Sequence, residues 1–159
     1  MFKLTNCAVA LTLFGLMLFT SGAEAKSDCD KLSGTGHTFA IGPATFQGIA
    51  SLNLNNTNII VTVTTNLLGP PKATEDGTLL ATTSHTFVFQ DGSSLTTLDH
   101  AVLSPTDTPG LYNLNTRAAV TGGTGTYEDA CGQFSIHGTI NLISGEIQWS
   151  VTGRICDCG

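Results

Sequence analysis

The chain has 159 residues, a formal net charge of −6, and charged side chains at only 11% of positions. That length suits one domain with a sizeable core. The acidic balance, with no basic cluster anywhere, makes nucleic acid and anionic membrane surfaces poor partners.

The N-terminus reads as a targeting segment. Lys3 gives a short basic start, Leu4 to Phe19 is mostly apolar, and Ser21-Gly22-Ala23-Glu24-Ala25 ends in an A-x-A pattern. These are the three parts of a secretory signal peptide, with cleavage expected after Ala25. The apolar run is shorter than the roughly 20 residues a membrane span needs. The expected organisation is therefore a leader over 1–25 and one exported domain over 26–159, secreted or periplasmic, with no membrane insertion after cleavage. Cys7 falls inside the leader.

Beyond the leader no stretch holds a helical period for three turns, while alternation with period two recurs. A short first strand is expected near His37 to Ile41. From Ala44 to Asn55, Phe46, Gly48, Ala50, Leu52 and Leu54 share one face, and Asn55-Asn56-Thr57 makes a turn. The run Asn58 to Leu68 ends at Gly69-Pro70-Pro71, because proline cannot donate to a ladder. Further strands are expected over Thr78 to Gln90, Leu95 to Leu103, Leu111 to Thr121, Cys131 to Leu142 and Glu146 to Ile155. Turn residues at Asp91-Gly92-Ser93 and Ser144-Gly145 join them as hairpins. About eight antiparallel strands in one domain predict an all-β, single up-and-down barrel, which removes free edges and can enclose one small ligand. A β-sandwich is the competing architecture.

Cys29, Cys131, Cys156 and Cys158 remain after the leader. An even count in an exported chain points to two disulfides, and C-x-C is not the paired C-x2-C of a zinc knuckle. No metal and no cofactor is expected. If Ser144-Gly145 is a two-residue turn, Ile143 faces Glu146 and Cys131 falls opposite Cys158; a bulge shifts its partner toward Cys156. Barrel closure sets the first strand beside the last and leaves Cys29 the other C-terminal cysteine.

The glycine-rich run TGGTGTYEDACG (121–132) fails as a phosphate loop. No Lys-Ser or Lys-Thr follows its last glycine, and a strand follows where a helix is required. Its glycines are read as permitting positive φ or close backbone approach at a strand connection.

The candidate chemistry is sparse. His85 shares parity with Phe87 and Phe89 and is expected to face the interior, opposite Asp99 across a three-residue loop or opposite His100 across a four-residue one. A histidine–carboxylate pair in a cavity can act as a general acid or base; the alternative is a hydrogen-bonded structural pair. The candidate catalytic residues are thus His85, Asp99 and His100. Phe87, Phe89, Tyr112 and Trp149 lie on apolar parities and are candidates for lining a ligand cavity. His137 and Arg117 are expected outside, and no hydrolase triad spacing is present.

The continuous block DGSSLTTLDHAVLSPTDTPGLYNLNTRAAVTGGTGTYEDACG (91–132) resembles the exported bacterial proteins of the allene oxide cyclase barrel-like family, related to the plant dirigent proteins. The matching pieces are DGSSLTTLD, TPGLYNLN and TGGTGTY, with the N-terminal cysteine and the terminal IC. The resemblance implies a calycin-like eight-stranded barrel with an apolar central cavity that shapes a reactive, unsaturated substrate using few catalytic side chains. The related plant barrels assemble as trimers, which brings a homo-oligomer into consideration. Three functions stay open: an exported barrel binding a small apolar or unsaturated molecule; an isomerase or cyclase acting on a lipid, polyketide or phenylpropanoid; and a non-catalytic structural or surface protein.

Overall fold

The computed structural model describes residues 29–159; the expected leader and Cys7 lie outside the described residues. The strands are β1 (Cys29–Gly42), β2 (Thr45–Leu54), β3 (Thr57–Leu67), β4 (Lys72–Ala73), β5 (Leu79–Val88), β6 (Ser94–Pro105), β7 (Leu111–Thr124), β8 (Ala130–Asn141) and β9 (Glu146–Asp157). Each long strand pairs antiparallel with its sequence neighbours, β3 pairs with β5, and β9 returns to β1. The sheet is therefore one closed eight-stranded barrel, and the sandwich alternative falls. The two-residue β4 resumes pairing with β5 where β3 stops, because Pro70 and Pro71 interrupt the strand between them.

Closure assigns every strand an inside and an outside. Even positions face inward on β1, β2 and β8, and odd ones on β3, β5, β6 and β9, as shown by buried Leu32, Leu52, Val63, Phe87, Leu95, Ile136 and Val151. The run β1 is much longer than the expected His37 to Ile41, for a physical reason. Two of its inward positions are Gly34 and Gly36, so no apolar alternation marks it. A Cβ on Gly36 would stand 2.1 Å from the Trp149 ring and one on Gly34 would stand 2.8 Å from Leu52. The glycines make room for side chains on neighbouring strands.

Two hairpins are longer than their turn dipeptides imply. Asn141 pairs with Glu146, so four residues, Leu142 to Gly145, form the β8–β9 loop. Asn141 Oδ1 accepts from the amides of Ile143 and Ser144 at 2.9 and 3.1 Å, an Asx arrangement that stabilises the longer turn. In consequence Cys131 lies opposite Cys156, not Cys158. Between β5 and β6, Val88 pairs with Ser94, and Asp91 accepts from the amide and hydroxyl of Ser93 at 2.9 and 2.6 Å. These bonds hold the Asp91 carboxyl below the usual carboxylate range. His85 therefore pairs with Thr97, not with Asp99 or His100. Both slips shift a partner by two or three places, and the inward faces survive.

The run TGGTG is a strand end rather than a turn. Gly122 and Gly123 belong to β7, where Thr121 is bulged between the pairs Thr97–Val120 and Thr96–Gly122. A Cβ on Gly123 would meet the Ser94 carbonyl at 2.0 Å. The turn proper is a short 3-10 segment, Gly125–Tyr127.

The interior has two halves. Toward the end that carries the cysteines, Leu32, Leu52, Phe87, Leu95, Phe134 and Ile155 fill the barrel, with Phe87 and Phe134 edge to face at 5.8 Å. Burial of such side chains stabilises by roughly 1.5–3 kcal/mol each. Two disulfides fasten this end from outside: Cys29–Cys156 joins β1 to β9, and Cys131–Cys158 joins β8 to the chain just past β9. Each of Cys29 and Cys131 thus bonds a C-terminal cysteine.

The bonds close loops of unequal length, with sequence separations of 127 and 27. On chain entropy alone, removing Cys29–Cys156 costs about 5 kcal/mol and removing Cys131–Cys158 about 3.5 kcal/mol. Urea unfolding of the two double Cys→Ser variants is expected to show the larger loss for the first; a reversed order would mean that native-state packing, not closure, sets what these bonds contribute.

Candidate functional site

The other half of the barrel is hollow. Several inward positions there carry small or β-branched side chains, such as Ala81, Ala101, Thr65 and Thr116, and the half encloses a cavity of about 150 Å³. Leu79, Ala81, Ala101, Leu103, Ile136 and Ile140 are among the residues of its wall, together with Trp149. The mouth lies between the loops that follow β1, β3, β6 and β8. Pro71 and Leu142 reach its lining, and Ile41, Leu68 and Ile143 stand exposed around that end of the barrel.

Buried polar side chains cluster around the hollow half and its base. Thr38, Thr65, Thr97, Thr116, His85 and Asp99 are all buried. His85 and Asp99 meet on the diagonal of β5 and β6: His85 Nδ1 is 2.5 Å from Asp99 Oδ2, with Thr83 Oγ1 donating to the same oxygen at 3.3 Å. The His85 amide donates to Thr97 Oγ1 at 3.2 Å, and its ring lies 5.9 Å from that of Phe87. Asp99 has 0% exposure. Lys31, Lys72, Arg117 and Arg154, the basic residues among those described, are all exposed. A buried carboxylate is costly without a partner, and here the partner is an imidazole. Two buried oxygens, Asp99 Oδ1 and Thr38 Oγ1, have no hydrogen-bond partner among the described residues.

With Nδ1 committed to Asp99, Nε2 is the ring nitrogen left to the cavity that His85 lines. Such a nitrogen can accept a hydrogen bond or a proton from a group held in front of it.

The remaining candidates scatter. His100 pairs with Thr82 and Arg117 on the outer face and is exposed, which removes it from the cavity: it is next to Asp99 in sequence, and adjacent strand residues point to opposite faces. Phe87 is buried in the filled half. Phe89 stacks on Tyr127 at 4.3 Å by the β5–β6 loop, and Tyr112 sits across from Pro105 and Ile140 without lining the cavity. Of the four aromatic candidates only Trp149 lines it. His137 is outside, bonded to Asn115. His37 pairs with Glu146 at 2.8 Å near the mouth, where Gln148 and His37 hold the glutamate below the usual carboxylate range. Among the described residues no three His, Cys, Asp or Glu gather as a metal site.

Sequence reasoning missed the threonines. Thr97 shares parity with Leu95 and Leu103, and Thr116 with Leu114 and Ala118, so the strand period alone carried the signal. Thr38 falls within the expected strand near His37 to Ile41, but the inward Gly34 and Gly36 leave no apolar series to mark its face.

No family model matches the chain, and no curated protein matches it. Among solved structures it is similar to the pterocarpan synthase dirigent protein GePTS1, at 13% identity and a TM-score of 0.47, over 84% of this chain and 92% of that one.

The two threonines nearest in kind make opposite predictions. Thr38→Val removes a buried hydroxyl that has no partner and is expected to raise stability by about 1 kcal/mol, whereas Thr97→Val removes a side-chain acceptor of the His85 amide and should lower it by about 0.5–1.5 kcal/mol. Thermal unfolding of both variants checks this. Losses of equal size would mean that Thr38 is satisfied after all.

Proposed function

We propose that this protein is an exported barrel that binds a small, largely apolar molecule inside its hollow half. The observation that carries the reading is the cavity itself: about 150 Å³, with a largely apolar lining and an opening at one end. An engineered cavity of that order accepts benzene, so the enclosed space suits one ring-sized group, and a longer molecule extends past Leu142 and Pro71 to the apolar rim. Two disulfides in one domain agree with an oxidising compartment and with the leader-like N-terminus. A hollow interior weighs against a purely structural role, which would favour filling it.

A second reading, an isomerase or cyclase for an unsaturated substrate, is favoured by one specific feature. His85, oriented by Asp99, presents Nε2 to the cavity, and proton transfer to or from a bound substrate needs such a group.

Trp149 is the chain's single tryptophan and lines the cavity, so its fluorescence reports occupancy. Titration with cyclic hydrocarbons, polyenes and fatty acids is expected to give a saturable change. Ala101→Phe, which places a ring in the cavity, should weaken that binding at least tenfold while the protein stays folded by circular dichroism. A wild-type protein whose emission no member of the panel alters in a saturable way would defeat the binding reading.

A further inference from the structure

We propose that the end of the ligand buried in the cavity carries a neutral hydroxyl group that donates its hydrogen to His85 Nε2, with Asp99 acting as the positioning residue that keeps Nε2 an acceptor. The proposal rests on the cavity-binding reading above and adds the chemistry of the bound group.

The argument starts from the 2.5 Å contact between His85 Nδ1 and Asp99 Oδ2. A carboxylate oxygen accepts, so Nδ1 carries the hydrogen, and in the neutral imidazole the lone pair then lies on Nε2. Asp99 Oδ2 also takes the Thr83 hydroxyl, which holds the carboxylate in place behind the ring. His85 lines the cavity while Asp99 has 0% exposure. In that neutral form the cavity meets a hydrogen-bond acceptor set into a largely apolar wall.

Three classes of polar group answer differently to that acceptor. An ether, ketone or epoxide oxygen has no hydrogen to give, and would face the Nε2 lone pair unpaired. A carboxylate adds a second negative charge close to Asp99, in a space that no Lys or Arg among the described residues reaches, since all four are exposed. A hydroxyl donates to Nε2 and remains neutral. Its oxygen is also an acceptor, and the same cavity holds a donor with nothing to bond: Thr38 lines it, is 1% exposed, and its Oγ1 has no hydrogen-bond partner. A hydroxyl thus offers a partner to two of the polar groups that the fold leaves open, His85 Nε2 and Thr38 Oγ1.

The test uses three ring-sized probes of one shape, cyclohexanol, cyclohexanone and methylcyclohexane, titrated at pH 8 against the full exported protein and followed by Trp149 emission. Cyclohexanol is expected to bind about tenfold tighter than cyclohexanone, the effect of one hydrogen bond. In His85→Phe that advantage should vanish while methylcyclohexane binding is retained, which separates loss of the acceptor from loss of the fold. Nitrogen-15 NMR of the His85 ring gives an independent readout: hydrogen on Nδ1 in the free protein, and a shift at Nε2 on adding the alcohol but not the ketone. Equal binding of alcohol and ketone, an unchanged alcohol preference in His85→Phe, or hydrogen on Nε2 in the free protein overturns the hydroxyl assignment and leaves cavity binding standing. Failure of all three probes to bind overturns both.

Discussion

The closed hydrogen-bonded sheet is the constraint on which everything else depends. Once β9 pairs with β1 and β3 with β5, the sheet closes on itself and eight strands enclose an interior of roughly fixed width. What that interior contains is decided by which side chains occupy the inward positions. Large ones on β5 and β8 meet across one half, where Phe87 and Phe134 touch. In the other half the corresponding inward positions include Ala81, Ala101, Thr65 and Thr116, too small to span the gap. The cavity is thus a consequence of residue size in a frame that cannot collapse, because narrowing the barrel would break the ladders that close it.

The same frame explains how a carboxylate comes to be fully buried. On β6 the inward series is Leu95, Thr97, Asp99, Ala101 and Leu103, and the polar members stand at the junction of the filled and hollow halves. A structural polar pair would be expected to satisfy all its atoms, since a half-satisfied buried network is worse than an apolar core. His85 and Asp99 satisfy each other on one side only, leaving Asp99 Oδ1 without a partner and Nε2 outside the pair, on a ring that lines the cavity. Departures of this kind from full satisfaction concentrate at functional sites.

The sequence made faces legible and left distances obscure. Parity placed His85 inside with Phe87, and Trp149 inside with Val151, because a strand's period of two survives any even slip of register. Loop length was not legible, since Asn141 and Asp91 each recruit backbone amides that lengthen the turns their glycines announce. That is why the His85–Asp99 pair was found for the wrong geometry: the two meet diagonally, not across the ladder. The strand β1 was largely invisible for the opposite reason. Its inward glycines carry no hydrophobic signal, yet Gly36 is what lets Trp149 lie against the wall.

Separation of the two halves also separates the features that brace the barrel from the hollow end. Both disulfides and the aromatic contact lie at one end, where they anchor the β1–β9 seam and the chain terminus. The mouth of the hollow half is bordered by Leu142 and the exposed Ile143. Apolar side chains at a rim lower the cost of moving an apolar molecule from water into the interior, because the path is covered by similar surface throughout. Stability concentrated at the far end lets the mouth keep that surface uncovered without placing the fold at risk.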